Sequence, residues 1–430
     1  MTGIKKAGIY TITIVIAFWF VTQTLYPASR TLTHGFGAYY SAARLLQMGQ
    51  FSVQVYDPAY FRLLVRADSH QQADDIFNAN PPTTSLMLWP LSSFSIESAR
   101  LIWTLVNAGM LLGGLALLTA SFAPQPDLSR LALLASLGML FQPALENIKL
   151  GQAYLLIFLL LSIAVAAWSK IGLAEVAGLK FAPSLGSVAL ALALILKTAG
   201  WALLPLLAWQ KRWRILVWTV GIAGAVLLLT LPLFPPPLWQ RYGQLLGETS
   251  NSAATCTPAY QTTRSLLCQL FVFAPLWSQS PVINLPWLAP FILIGLAALT
   301  LLANFWLARR NPTPALTAMI AWGVIFAPLG EGYHHTVMLI PLSWLVSQWA
   351  DLSRFSRFGL LAALCLYLIP FASYQPDWQS GGWVLLAYPR LYGAWLTLFV
   401  LYNQLAGVRQ KIPPSPNPGP PQPLLSNPPG

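Results

Sequence analysis

The chain has 430 residues, 56% of them apolar and only 8% charged, with a mean hydropathy of +0.60. A soluble domain carries about 25% charged residues, so this composition cannot clothe a water-facing surface; it excludes a soluble enzyme and specifies an all-α, polytopic membrane protein. The net charge of +12 is scattered in short clusters beside apolar runs rather than gathered in a patch, which excludes nucleic acid as a partner and leaves membrane lipids as the surroundings.

In chain order, the first apolar run (8–26) follows Lys5 and Lys6. It is longer than a secretory signal core and no small-residue cleavage site follows, so it reads as the first span. A large first outer segment (27–94) comes next. Within it, 38–49 and 57–65 read as amphipathic helices lying on the outer membrane face, and 80–90 as a partial insertion or an interfacial helix. Residues 96–122 return through the membrane. The runs 131–145 and 153–168 make a hairpin whose tip holds Glu146 to Gln152. Two short arms, 184–196 and 199–209, meet at Lys197; they either cross or dip in and turn back. Residues 215–234 lead to a second large outer segment, 235–286. The runs 289–307, 314–328, 336–350, 358–374 and 391–405 complete about twelve membrane helices, several shorter than the roughly 20 residues of a straight crossing. Residues 1–411 thus form one membrane domain. The Pro-rich, uncharged stretch 412–430 reads as a disordered cytoplasmic tail.

Threaded this way, Lys5, Lys6, Arg130, Lys170, Lys180, Lys211, Arg212, Arg214, Arg309, Arg310, Arg354, Arg357, Arg409 and Lys411 fall in short loops on one side. Basic loops beside spans stay cytoplasmic, so that side and both termini are inside a cell (inner) membrane. All four histidines (His34, His70, His334, His335) and most acids fall outside. The chemistry is therefore expected on the extracytoplasmic face. Cys256 and Cys268 also fall there, in a compartment that permits a disulfide.

Several blocks then stand in a fixed order: Gly35-Phe-Gly-Ala-Tyr39-Tyr40 with Tyr56-Asp57-Pro58, Phe77-x-x-Asn80-Pro81-Pro82, Trp103 with Asn107, Gly151-Gln152, Lys197, Tyr260-Gln-x-x-x-Ser265, and Pro328-x-x-Glu331-x-Tyr333-His334-His335. Together, from about Gly35 to Pro341, they resemble glycosyltransferase family 87, the polyprenol-phosphate-mannose-dependent mannosyltransferase-like enzymes with a GT-C fold. The resemblance implies a hexosyltransferase without a cofactor. It would take a sugar from a polyprenyl-phosphate donor and pass it to a lipid or glycan acceptor, with an aspartate immediately before Phe-x-x-Tyr-Tyr as general base. Here that position is Gly35, which cannot accept a proton.

Substitute bases are ranked by chemistry and place. Glu331 lies three and four residues before His334 and His335, so the three share a face where a span meets the outer surface; the plainer alternative is a polar cap on that span. His34 adjoins the vacant position. Asp57 matches the family's Tyr-Asp-Pro element, and is also placed to cap a helix opened by Pro58. Asp74 and Asp75 read as a cation site at a donor phosphate or as a solvated acid pair. Lys197, in an apolar stretch, either meets the donor phosphate or snorkels. Arg264 adds a second positive contact, Tyr39 and Tyr40 come from the first block, and Gln152 offers an amide to sugar hydroxyls or simply closes a turn. No third ligand accompanies the Glu-His pair, so no metal site is expected. The other readings are a catalytically silent homologue that binds lipid-linked glycan, and a lipid or glycan transporter. A transporter more often shows repeated halves, which this sequence lacks.

Overall fold

The computed structural model describes residues 3–77, 80–122, 127–169, 182–370 and 381–407. The tail reading for 412–430 lies outside them, as do Lys170, Lys180, Arg409 and Lys411. Among the described residues there is no named strand, only isolated bridges pairing Tyr260 with Glu331 and Ala274 with Ser278.

Helices α1 (Gly3–Phe20) and α2 (Tyr26–Arg30) are joined by a π-helical turn, Val21–Leu25, into one apolar rod. In the first outer segment, α3 (His34–Gln47) and α4 (Pro58–Asp68) replace the expected surface helices. Of these, α4 keeps its amphipathic character, but α3 does not lie on the membrane. Gly35 through Ala43 are all buried, because α3 is packed between α4 on one side and the membrane bundle on the other. The stretch after Asn80 is a pair of 3-10 turns, Pro82–Met87 and Trp89–Leu91.

The bundle then runs through α5 (Ile96–Phe122), α6 (Leu128–Leu140), α7 (Gln142–Leu150), α8 (Tyr154–Trp168), α9 (Ala182–Lys197), α10 (Leu203–Trp209) and α11 (Trp213–Leu229). Next come α12 (Pro236–Asn251) and α13 (Thr263–Phe271) of the second outer segment. The chain finishes with α14 (Leu288–Ala308), α15 (Pro312–Ile325), α16 (Leu339–Ser347), α17 (Arg354–Leu368) and α18 (Pro389–Gly407).

Three helical stretches are long and apolar enough to cross a bilayer unaided, at Lys6–Arg30, Ile96–Phe122 and Leu288–Ala308; two bent pairs raise the number to five. One bent pair is α6 with α7, which turn by 58° at Phe141. The remaining apolar helices are short, as the sequence runs indicated. Lipid offers no hydrophobic drive between helices, so close fit has to hold them. Gly114 of α5 shows this: a Cβ there would come 2.4 Å from the Phe158 ring of α8.

A second core forms outside the bundle. Phe51 meets Phe77 and Phe234 edge-on at 5.9 and 5.4 Å between centroids, and Tyr56 stacks on Tyr242 of α12 at 6.2 Å. The two outer segments are thus fused into one cap over the bundle. Cys256 and Cys268 are bonded, with their Cα atoms 5.2 Å apart, and tie the loop after α12 to α13.

Candidate active site

Under this cap lies a polar cavity of about 290 Å³, lined by His34, Gly35, Tyr39, Asp75, Asn80, Gln152, Lys197, Tyr260, Glu331, Tyr333 and His334 among others. A second, mainly apolar cavity of about 430 Å³ runs beside it between α8, α9 and α15. The two share Lys197, Leu329 and His334.

Lys197 owes its position to the end of α9. The last carbonyls of a helix lack intrahelical partners. Here the Thr83 hydroxyl donates to the Ile195 carbonyl at 2.6 Å and the Thr84 hydroxyl to that of Leu196 at 2.7 Å. The chain then breaks through Thr198 and Gly200, both at positive φ, so α9 stops with its lysine at the cavity. The ammonium donates to Asn80 Oδ1 at 2.6 Å and sits 4.8 Å from the centre of the Tyr39 ring. Snorkelling away from the cavity is therefore not its conformation.

Gln152 is held with equal specificity. Helix α7 ends at Gly151 in the left-handed region, φ +70°, where a Cβ would stand 2.3 Å from Arg100 Nη1. Only glycine fits that cap. The buried Arg100 donates to the carbonyls of Ile148 and Lys149, and Trp103 Nε1 to that of Gly151 at 2.9 Å. Asn147 bonds Asn107 and the Gln152 carbonyl. With the backbone fixed, the Gln152 amide oxygen accepts from the Tyr39 hydroxyl. Trp103, Asn107 and Gly151, visible in the sequence as separated blocks, are one capping assembly.

Glu331 and His334 both line the polar cavity. Burial, reinforced by the Asp75 carboxylate, pushes the Glu331 carboxyl up to about 7. Its Oε1 accepts from the Tyr333 hydroxyl at 3.4 Å. The His334 ring lies 4.0 Å from that of Tyr154 and 4.5 Å from that of Tyr333, and burial keeps it neutral. Its buried Nδ1 has no partner among the described residues, which leaves one hydrogen-bonding group open to a ligand.

The Asp74-Asp75 doublet divides. Asp74 turns outward to Arg66 at 2.6 Å and Arg62 at 3.9 Å. Asp75 turns into the cavity, half-buried, where desolvation raises its carboxyl and His34 and Lys197 pull the other way. Sequence reasoning favoured neither acid of this pair. A doublet carries no period that separates an inward from an outward side chain, so only the fold distinguishes them.

Other candidates fall away from the cavity lining. Asp57 caps α4, accepting from the amides of Ala59 and Tyr60 at 2.8 and 3.4 Å. His335 is buried behind the site between the Gln261 carbonyl and the Tyr367 hydroxyl. Since the carbonyl can only accept, Nε2 carries the proton and Nδ1 accepts from Tyr367. Tyr40 donates to the Phe94 carbonyl and Arg264 to that of Ser250. His34, by contrast, does line the cavity beside Gly35.

The position of the missing aspartate is filled. A Cβ on Gly35 would stand 2.5 Å from Gln152 Nε2 and 2.8 Å from the Leu150 carbonyl oxygen. The backbone at the end of α7 and the Gln152 side chain occupy the space a longer residue would take.

The glycosyltransferase family 87 model matches residues 78–330. The chain belongs to glycosyltransferase family 87. The match takes in Gln152, Lys197 and Arg264, whereas the first outer block from His34 to Asp75 and the Glu331 to His335 block flank it. No curated protein matches the chain. Among solved structures, it is similar to ArnT from Cupriavidus metallidurans in the apo state, at 14% identity and a TM-score of 0.39, over 94% of this chain and 78% of that one. Family membership makes this protein a membrane glycosyltransferase.

Proposed function

We propose that the protein transfers a hexose, mannose on the family's pattern, from a polyprenyl-phosphate donor to a hydroxyl of an extracytoplasmic lipid or glycan acceptor. The observation that supports this most is the meeting of a polar and an apolar cavity at Lys197. A lipid-linked sugar has the same division: a wet sugar, a dry chain, and an anionic phosphate between them. Lys197 stands at that junction, where an ammonium meets a phosphate best.

The transfer needs the acceptor oxygen to bond the anomeric carbon as the bond from that carbon to the phosphate oxygen breaks. The phosphate leaves with the electron pair, and Lys197 meets its growing charge. The acceptor hydroxyl proton goes to Glu331, whose carboxyl, held near neutrality, suits a general base. Tyr39, Gln152 and the open Nδ1 of His334 are the groups for sugar hydroxyls. With the basic loops cytoplasmic, the cavity opens to the extracytoplasmic side of the cell membrane.

The test is release of polyprenyl phosphate from a labelled polyprenyl-phosphate mannose by the purified protein in nanodiscs, with an acceptor extract present. Release with label entering acceptor supports transfer. Donor binding without release supports the silent homologue, the reading that Gly35 favours. Movement of intact donor across the bilayer supports the transporter.

A further inference from the structure

At the other end of α15 from Glu331, α10, α11, α14 and α15 surround a separate cavity of about 360 Å³. Its lining is Trp209, Gln210, Lys211, Arg212, Ala308, Arg309 and Pro312. Fourteen residues of α15 at about 1.5 Å each put it roughly 20 Å from the catalytic cavity.

Three features of this cavity favour an anion. Lys211, Arg212 and Arg309 converge on it, and among the described residues none of them forms an ion pair with an acid. Helix α11 starts here and its N-cap residue, Arg212, gives no side-chain cap, which leaves the first amides of that helix unpaired, whereas α15 opens with Pro312 and Pro314, which have no N–H to offer. Finally, both amide atoms of Gln210 are buried without a partner among the described residues. A buried, unpaired amide costs about 1–3 kcal/mol, so a ligand that satisfies it gains accordingly.

The surroundings indicate the source of that anion. Arg309 lies 4.8 Å from the centre of the Trp209 ring, itself stacked on Phe305 at 5.0 Å, and Arg310 lies 3.7 Å from the centre of the Trp306 ring. Trp209, Trp213 and Trp306 are exposed. Exposed indoles ringed by arginines at helix ends mark the headgroup level of a bilayer.

We propose that this cavity binds the headgroup of an anionic phospholipid in the leaflet opposite the catalytic face. The phosphate rests among Lys211, Arg309 and the start of α11; the Gln210 amide nitrogen donates to it, and the amide oxygen accepts from a headgroup hydroxyl. Phosphatidylglycerol carries both groups.

The test uses the full-length protein in neutral detergent, titrated with short-chain phosphatidylglycerol, phosphatidylcholine of equal chain length, or inorganic phosphate, with bound ligand counted by native mass spectrometry. Phosphatidylglycerol is expected to bind at least tenfold more tightly than either control. Removing one surface cation weakens attraction to anionic lipid roughly fivefold, so Lys211→Gln with Arg309→Gln should cost about 25-fold. A melting temperature for the variant without lipid equal to that of wild type shows that the loss is not misfolding; if the pair fails to fold, Gln210→Leu gives the same reading. Equal binding of the two lipids, inorganic phosphate as tight as the lipid, or unchanged binding in a folded variant would overturn the proposal.

Discussion

Lys197 and Asn80 are joined by a 2.6 Å hydrogen bond between the intramembrane end of α9 and the first outer segment. The bond leaves the ammonium with donors to spare and fixes it at the mouth of the apolar cavity. Lys197→Ala should therefore weaken donor binding by about 30-fold or more, the scale for removing one partner of a desolvated charge pair. Lys197→Arg should retain part of the affinity, since charge survives but geometry changes. Isothermal titration with polyprenyl-phosphate mannose reads both, and wild-type affinity in the alanine variant would remove the lysine from the donor site.

Glu331→Gln keeps the shape of the side chain but cannot take a proton. Turnover is expected to fall 10²- to 10⁴-fold, the usual contribution of a general base, while donor affinity stays within about twofold. His34→Ala should cost less. Full turnover in Glu331→Gln would move the role of base to Asp75.

The pH dependence follows from the pair of acids. Glu331 acts only as the carboxylate, and its folded value is raised to about 7, so the rate should climb as pH rises through that value. Asp75 contributes to that elevation through its negative charge. Asp75→Asn removes that contribution, and the acid limb of kcat should move to lower pH. A limb that stays in place, measured in the same nanodiscs, would separate the two carboxylates.

Gly35→Asp, which the family pattern suggests as a rescue, should not restore a base. Its Cβ meets the Leu150 carbonyl and the Gln152 amide, so α3 or the α7 cap has to shift. The expected outcome is a lower melting temperature with no gain in turnover. Gly35→Ala should show most of the same loss, which isolates the steric cause.

For orientation, a cysteine at Arg310 should resist membrane-impermeant maleimide in intact cells, and one at His34 should react. Labelling at position 310 would invert the assignment of the faces.

The fold class was legible in the sequence because it rests on extremes of composition, and the residues that line the polar cavity stood out because they are costly in a membrane. A membrane offers few ways to carry Lys197 or a Glu-His pair, so those residues announced themselves. Alternatives stayed open where a residue type has two uses. Asp57 makes a cap and His335 a buried brace, uses that sequence spacing does not distinguish from catalysis. Asp75 was hidden by its neighbour. The burial of α3 was missed because a half-polar helix looks the same whether its outer face meets water or a protein cap.

The threonine hydroxyls that close α9 have a further consequence. Through Thr83 and Thr84, the outer segment that carries Asp75 and the helix end that carries Lys197 form one mechanical unit. On the proposed function, a lipid donor that settles Lys197 also settles the acidic side of the cavity. By reciprocity, an acceptor that orders this segment raises the affinity for donor by the same factor. The proposed function therefore predicts that the two substrates bind cooperatively, which would give a transferase little occasion to discharge its sugar onto water.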